Sequence, residues 1–109
     1  MNWRVEFHRD FVPEFRGLSE SVQDEIAALV EKMRVFGPMM KRPASDTFEA
    51  DNGVWRVAYA FDPTRKAILL VAGDKSGVSQ KRFYRSLIRK ADERFAEYLE
   101  ELEKTRKRK

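Results

Sequence analysis

Arg56, Lys75, Lys81, Arg82, Arg85 and Arg89 crowd positive charge into one stretch of the chain. Residues 52–90 carry 9 basic side chains against only Asp62 and Asp74, a net of +7. Inside a folded domain such a segment makes an anion-attracting surface, and phosphate backbones are the commonest target of such surfaces. A solvated face is the alternative reading of the same charges. Residues 1–51 are net −3, residues 91–103 net −5 and Lys104–Lys109 net +5, which leaves +4 overall.

Position sorts the candidates further. Arg82, Arg85 and Arg89 recur at three and four residues, opposite Phe83 and Leu87 on a helix, so they form one stripe facing phosphate or solvent. Asp74 and Lys75 follow an apolar run at the carboxyl end of a strand, where sheet ends expose side chains to ligands; a turn-capping aspartate and a solvated turn lysine are the plainer readings. Arg56 shares a strand face with Ala58 and Ala60, whose small side chains leave room for something to approach, and a salt bridge across the sheet is its alternative. Tyr84 offers a hydroxyl donor or a ring for base stacking, and otherwise packs beside the buried stripe of its helix.

The composition excludes other chemistry. No cysteine is present and His8 is the single histidine, which removes disulfides and thiolate metal sites and argues against a histidine-based zinc site. His8 is available for proton transfer, with packing as the plainer role. The first residues, Met1–Glu6, alternate polar and apolar without the apolar run of a signal peptide, and no later stretch is long enough to span a bilayer. The expectation is a soluble, cytoplasmic protein with a single domain over residues 1–103. Residues 104–109 read as a basic tail complementing a helix dipole.

The elements that must position these side chains follow from periodicity. Trp3, Val5 and Phe7 alternate with Arg4 and Glu6 as in a half-buried strand. Phe11 and Phe15 lie one turn apart in a short helix begun near Asp10, with Pro13 in its first turn and Gly17 at its end. Ser19 suits the N-cap of a second helix bearing Val22, Ile26, Leu29, Val30 and Met33, which Gly37-Pro38 stops. Residues 39–46 show neither period and read as a loop, in which Met39 and Met40 are a possible apolar contact for a partner. Thr47–Glu49 reads as a short strand and Asp51-Asn52-Gly53 as a tight turn. The next strand puts Trp55, Val57, Tyr59 and Phe61 on its core face. Asp62–Arg65 reads as a type I turn and Ala67–Ala72 as a central strand. Ser79 then caps a long helix with a buried stripe of Phe83, Leu87, Ala91, Phe95, Tyr98 and Leu102. This order predicts an α+β fold: an N-terminal strand and helical hairpin packed on a small, mostly antiparallel sheet, a long C-terminal helix, and helices gathered mainly on one face.

Two strings, Val54-Trp55-Arg56-Val57-Ala58-Tyr59-Ala60-Phe61-Asp62-Pro63 and Ala67-Ile68-Leu69-Leu70-Val71-Ala72-Gly73-Asp74-Lys75-Ser76-Gly77, resemble the phage-derived, HigB-like branch of the RelE/ParE toxin superfamily. The resemblance extends back through Phe36-Gly37-Pro38 and Arg42-Pro43 and forward through Lys81-Arg82-Phe83-Tyr84, nearly the whole chain. It implies a RelE-like fold and a toxin of a type II toxin-antitoxin system. Such a toxin is held inactive by a cognate antitoxin, often a helix-turn-helix protein, and cuts messenger RNA on the ribosome. It also implies that arginine, lysine and tyrosine do the catalytic work in place of histidine. Lys75, Arg56, Arg82, Tyr84 and Asp74 are the catalytic candidates and Lys81, Arg85 and Arg89 the RNA-binding ones, with no metal and no small-molecule cofactor. The chain departs from the group between Asp46-Thr47 and Asp51-Asn52-Gly53, where members carry a longer stretch with a basic strand; that loss favours a catalytically weakened, antitoxin-binding relative as the second reading. A ParE-like gyrase inhibitor is the third, since one fold supports several functions.

Overall fold

The computed structural model of the protein describes residues 3–37 and 44–107. Its elements run β1 (Arg4–Phe7), α1 (Phe11–Arg16), α2 (Glu20–Phe36), β2 (Ala44–Ala50), β3 (Gly53–Phe61), β4 (Lys66–Asp74) and α3 (Gln80–Lys107). The strands form one sheet in the order β1-β4-β3-β2, parallel between β1 and β4 and antiparallel elsewhere. The predicted α+β arrangement is the one observed.

Local chemistry accounts for the boundaries. Ser19 Oγ accepts the Val22 N–H and starts α2, and Ser79 does the same for Arg82 N–H ahead of α3. Asp10 makes no side-chain cap; the His8 carbonyl accepts from the Phe11 and Val12 N–H groups instead. Asp51 and Asn52 both adopt positive φ, 53° and 62°, the two-residue turn whose twist suits a hairpin. The following hairpin closes through Asp62, whose carboxylate accepts from Thr64 N–H, Thr64 Oγ1 and Lys66 N–H at 2.8–2.9 Å, with Arg65 at φ 70°.

β2 begins earlier than its sequence suggests. Ala44–Asp46, read as part of a loop, pair with Tyr59, Ala58 and Val57 in an unshifted ladder, because the backbone hydrogen bonds of the ladder to β3 do not depend on side-chain pattern, which is all that periodicity reads. The rest of the expected loop, including Met39 and Met40, lies outside the described residues. At the other end α3 runs through Lys107, so Lys104–Lys107 continue the helix. Among the described residues no helix is long and apolar enough to cross a membrane.

The helices are not gathered on one face. On one side α1 and α2 bring Phe11, Val22, Ile26, Leu29 and Met33 onto Val57, Tyr59, Phe61, Ala67 and Leu69, with Trp3 and Trp55 packed partly buried at the margin. On the other, Leu87 and Ala91 of α3 cover Ala58, Ala60, Ile68, Leu70 and Val71. The room left by Ala58 and Ala60 is therefore taken by α3 itself, and small residues there let the helix sit close. A bulge helps: Ala58 pairs with Val71 and Tyr59 with Leu69, so Leu70 is the extra residue and both Leu70 and Val71 pack toward α3. Phe83, Phe95 and Tyr98 complete the expected stripe at partial burial, and Leu102 is half-buried.

Candidate functional site

Arg56 and Tyr84, chosen separately along the sequence, meet in the structure. The Arg56 guanidinium carbon lies 5.1 Å from the centroid of the Tyr84 ring, a cation–π contact that adds about 0.5–1 kcal/mol at a partly exposed position. Nη1 of Arg56 also donates to Ser45 Oγ at 2.9 Å. Ladder pairing explains this: Thr47 is opposite Arg56 and Ser45 opposite Ala58, so Ser45 and Arg56 share the α3 side of the sheet. Held by one hydroxyl and one ring face, the guanidinium keeps most of its five donors for an incoming acceptor. The salt bridge weighed for Arg56 does not form among the described residues.

Tyr84 continues into a shallow groove of about 520 Å³ along α3, lined by Lys81, Tyr84, Arg85, Ile88, Arg89 and Asp92. Tyr84 is 45% exposed and Lys81, Arg82, Arg85 and Arg89 are exposed. Among the described residues none of these four cations joins an ion pair, so their charge is not neutralised internally. At 100° per residue, Arg82, Arg85 and Arg89 fall on the side of α3 opposite Leu87, away from the sheet, while Tyr84 lies on the flank that reaches Arg56. The candidates thus form two neighbouring groups: a sheet-edge pair, Arg56 and Tyr84, and an outward stripe to which Arg82 belongs without touching the pair.

Asp74 and Lys75 stand at the end of β4, beside β3. Asp74 is opposite Trp55, and Lys75 N–H donates to the Val54 carbonyl at 2.8 Å. The Asp74 carboxylate accepts from Ser76 N–H at 2.9 Å; the Ser76 backbone and hydroxyl hold it below the usual carboxylate range, with help from Val54 N–H and against the small effect of burial. A Cβ on Gly53 would come within 2.7 Å of Asp74 Oδ2, so the glycine of the tight turn is what lets the carboxylate lie over the hairpin. Asp74 therefore has the geometry of the turn-capping alternative, and Lys75, half-buried, is carried on a loop that Asp74 orders.

His8 is withdrawn from this region. It follows β1, two strands from β3, is 4% exposed, and its Nδ1 accepts from Asp10 N–H at 3.1 Å. Burial, partly opposed by Asp10 and Glu97, pushes its pKa below the ordinary histidine value. The packing role holds. His8, Asp10 and Glu97 do bring ligand atoms within 4.8 Å of one another, but Nδ1 is already engaged.

Two contributors escaped the sequence reading. Ser45 lay in a stretch without periodicity, and only strand pairing reveals it as the anchor of Arg56. Arg94, 9% exposed, falls in the buried stripe of α3 between Ala91 and Tyr98; a charged residue at a stripe position is the signal that was available.

The family described as Phage derived protein Gp49-like (DUF891) matches residues 13–96. Two proteins of Mycobacterium tuberculosis (strain ATCC 25618 / H37Rv) that carry toxin names are similar to the chain. HigB2 is 32% identical over 104 residues, covering 83% of this chain and 51% of its own length. HigB3 is 33% identical over 97 residues, covering 78% of this chain and 83% of its own length. The chain therefore spans about half the length of HigB2 and most of HigB3. A solved structure of the Escherichia coli toxin RelE, an arginine-to-alanine double mutant in the free state, superposes with a TM-score of 0.56 over 82% of this chain and 97% of that one at 13% identity, a likeness of fold. With the relatives and the matched segment in agreement, the chain belongs to the phage-derived Gp49-like family and is HigB-like in sequence.

Proposed function

We propose that the protein is the toxin of a type II toxin-antitoxin pair and acts as a ribosome-dependent messenger-RNA endoribonuclease restrained by a cognate antitoxin. The observation that supports the reading is the Arg56–Tyr84 contact at the head of a groove whose cations join no ion pair among the described residues. Cleavage by a 2′-hydroxyl needs a proton acceptor, a donor for the leaving oxygen and positive charge on the phosphate. In this reading Arg56 and Lys75 hold the scissile phosphate and Tyr84 supplies a hydroxyl or a stacking ring. Asp74 acts through the loop that presents Lys75. Arg82 contacts RNA from the outward stripe together with Lys81, Arg85 and Arg89. The ribosome supplies the remaining alignment of the message.

A second reading has its own support. β2 carries Asp46 and Glu49 and no basic side chain, so the strand beside Arg56 adds no positive charge to the surface. A chain so built binds an antitoxin while cutting RNA poorly.

Induction without an antitoxin separates the two. The wild type is expected to arrest growth and to create new in-frame cuts in transcripts, and Arg56→Ala and Lys75→Ala to lose about 100-fold or more of the cutting. A folded wild type that neither arrests growth nor cuts transcripts overturns the nuclease reading and leaves the binding one.

A further inference from the structure

His8, the single histidine of the chain, stands between β1 and α1 with its side chain 3% exposed. Its Nδ1 accepts the Asp10 N–H, so the neutral ring carries its proton on Nε2. Nε2 makes no hydrogen bond among the described residues; it turns to Glu97 Oε1, 3.5 Å away. His8 and Glu97 both line a cavity of about 320 Å³. A buried imidazole thus presents one unbonded nitrogen to an accessible cavity, beside a carboxylate. The spacing is long for a hydrogen bond and right for two ligands on one ion: bonds of about 2.1 Å at the tetrahedral angle set nitrogen and oxygen about 3.4 Å apart.

Glu101 follows Glu97 by one helical turn and lines the same cavity. Both acids are free to adjust: their side chains are about half exposed, and Glu101 meets Lys104 only at 3.9 Å. The remaining charges of the cavity are Glu6, which Lys66 holds at 3.2 Å, and Arg9. Asp10 stands behind the ring, with Oδ2 3.9 Å from Nδ1, and His8, Asp10 and Glu97 bring ligand atoms within 4.8 Å of one another. Burial, against the pull of Asp10 and Glu97, lowers the His8 pKa below 6.5, so at pH 7 the ring is neutral and keeps a lone pair to give.

We propose that His8 Nε2, Glu97 and Glu101 form a site for a divalent transition-metal cation of the zinc class, with water completing its shell and Asp10 as the outer partner of the histidine. One imidazole with two carboxylates suits such an ion better than Mg²⁺, which takes an octahedral shell of oxygens. On binding, the proton leaves Nε2 and one is taken up at Nδ1, with no net release. Nδ1–H then donates to Asp10 Oδ2 in place of accepting from the Asp10 N–H, the carboxylate–histidine–metal arrangement that fixes tautomer and ring orientation. The ion fastens α3 to the junction of β1 and α1. Glu97 stands about 20 Å along α3 from Tyr84, so the site takes no part in chemistry at Arg56 and is independent of the proposed function.

The test titrates Zn²⁺ into the full chain, free of any affinity tag and labelled with ¹⁵N, at pH 7. A single histidine gives a single pair of ring-nitrogen signals. Without metal the proton is expected on Nε2; with one equivalent of Zn²⁺ it is expected on Nδ1, with Nε2 shifted to the metal-bound position, and excess Mg²⁺ is expected to change neither. Glu97→Gln and Glu101→Gln, both at exposed positions and checked for fold in the amide spectrum, should each weaken Zn²⁺ binding about tenfold or more, as should Asp10→Asn through the histidine. Glu103→Gln, exposed and outside the cavity, should leave it unchanged. Ring nitrogens that ignore Zn²⁺, an affinity unmoved by Glu97→Gln or Glu101→Gln, or an equal loss in Glu103→Gln each overturn the proposal. No arm measures cleavage, so the outcome stands apart from the nuclease reading.

Discussion

Arg94 and Glu14 lie 80 residues apart in the chain and share two hydrogen bonds, of 2.9 and 2.6 Å, while Arg94 Nη1 also donates to the Leu70 carbonyl at 2.7 Å. One guanidinium thereby joins α1 on one face of the sheet, the bulge of β4 within it, and α3 on the other face. The helix carrying the basic groove is fastened to the sheet at this point.

Arg94→Ala should therefore destabilise the protein by about 2–3 kcal/mol, the cost of leaving a carbonyl and a half-exposed carboxylate without their donor. Arg94→Lys should recover only part, since an ammonium lacks the planar fork that serves both partners. Urea denaturation at pH 7 measures both; a loss below about 0.5 kcal/mol for the alanine variant, the range of a surface pair, would show that the triad does not hold the layers together.

Acid should weaken the fold in two steps. Burial, despite Asp10 and Glu97, lowers the pKa of His8 from 6.5. The Arg94 hydrogen bond lowers Glu14 against its burial. Burial would raise Asp62, but hydrogen bonds from Tyr98, Lys66 and Thr64 outweigh it and hold that carboxylate low. Each group binds fewer protons folded than unfolded, so its stabilisation is complete above the unfolded value and is lost as pH falls through the folded one. The first decline should begin below pH 6.5 and belong to His8; the second, below the ordinary carboxylate range, belongs to Glu14 and Asp62. Denaturation midpoints from pH 8 to pH 3 measure this, with His8→Asn expected to flatten only the first step.

Gly37 ends α2 at φ 53°, and a Cβ there would lie 2.1 Å from the indole nitrogen of Trp3. Gly37→Ala should cost about 3 kcal/mol or more, combining left-handed backbone with the displacement of a core ring. Gly77, at φ 75° with nothing within 4 Å of an added Cβ, carries the backbone cost alone, so Gly77→Ala should lose about 1 kcal/mol. Equal losses in thermal melts would mean that Trp3 yields easily.

If Lys81, Arg82, Arg85 and Arg89 each neutralise one phosphate, log affinity for single-stranded RNA should fall against log salt with a slope of about −3. Replacing Arg82, Arg85 and Arg89 by alanine should bring the slope to about −1, because the lysine remains. Anisotropy titrations between about 50 and 200 mM salt decide it. An unchanged slope would assign the stripe to solvent.

The sequence by itself determined the elements whose residues answer to their immediate neighbours. Ser19 and Ser79 announced helix starts, Asp51-Asn52-Gly53 and Asp62–Arg65 announced hairpins, and Leu87 and Ala91 fell on a stripe of helical period, because caps, turns and periodicity are local properties. It also marked a basic segment holding both Arg56 and Tyr84. Only the tertiary structure decided what depends on pairing across distance. The partner of β3 turned Ala44–Asp46 from a supposed loop into strand and brought Ser45 to Arg56. The placing of α3 opposite α1 and α2 filled the space over Ala58 and Ala60 and set Tyr84 against the guanidinium. Arg94 stands out in the sequence as a charge on a buried stripe, but its partner Glu14, 80 residues away, is found only when the chain is folded. Which face a helix covers and which distant side chain satisfies a buried charge are chosen by the packing of the whole chain, and no window of sequence contains both partners.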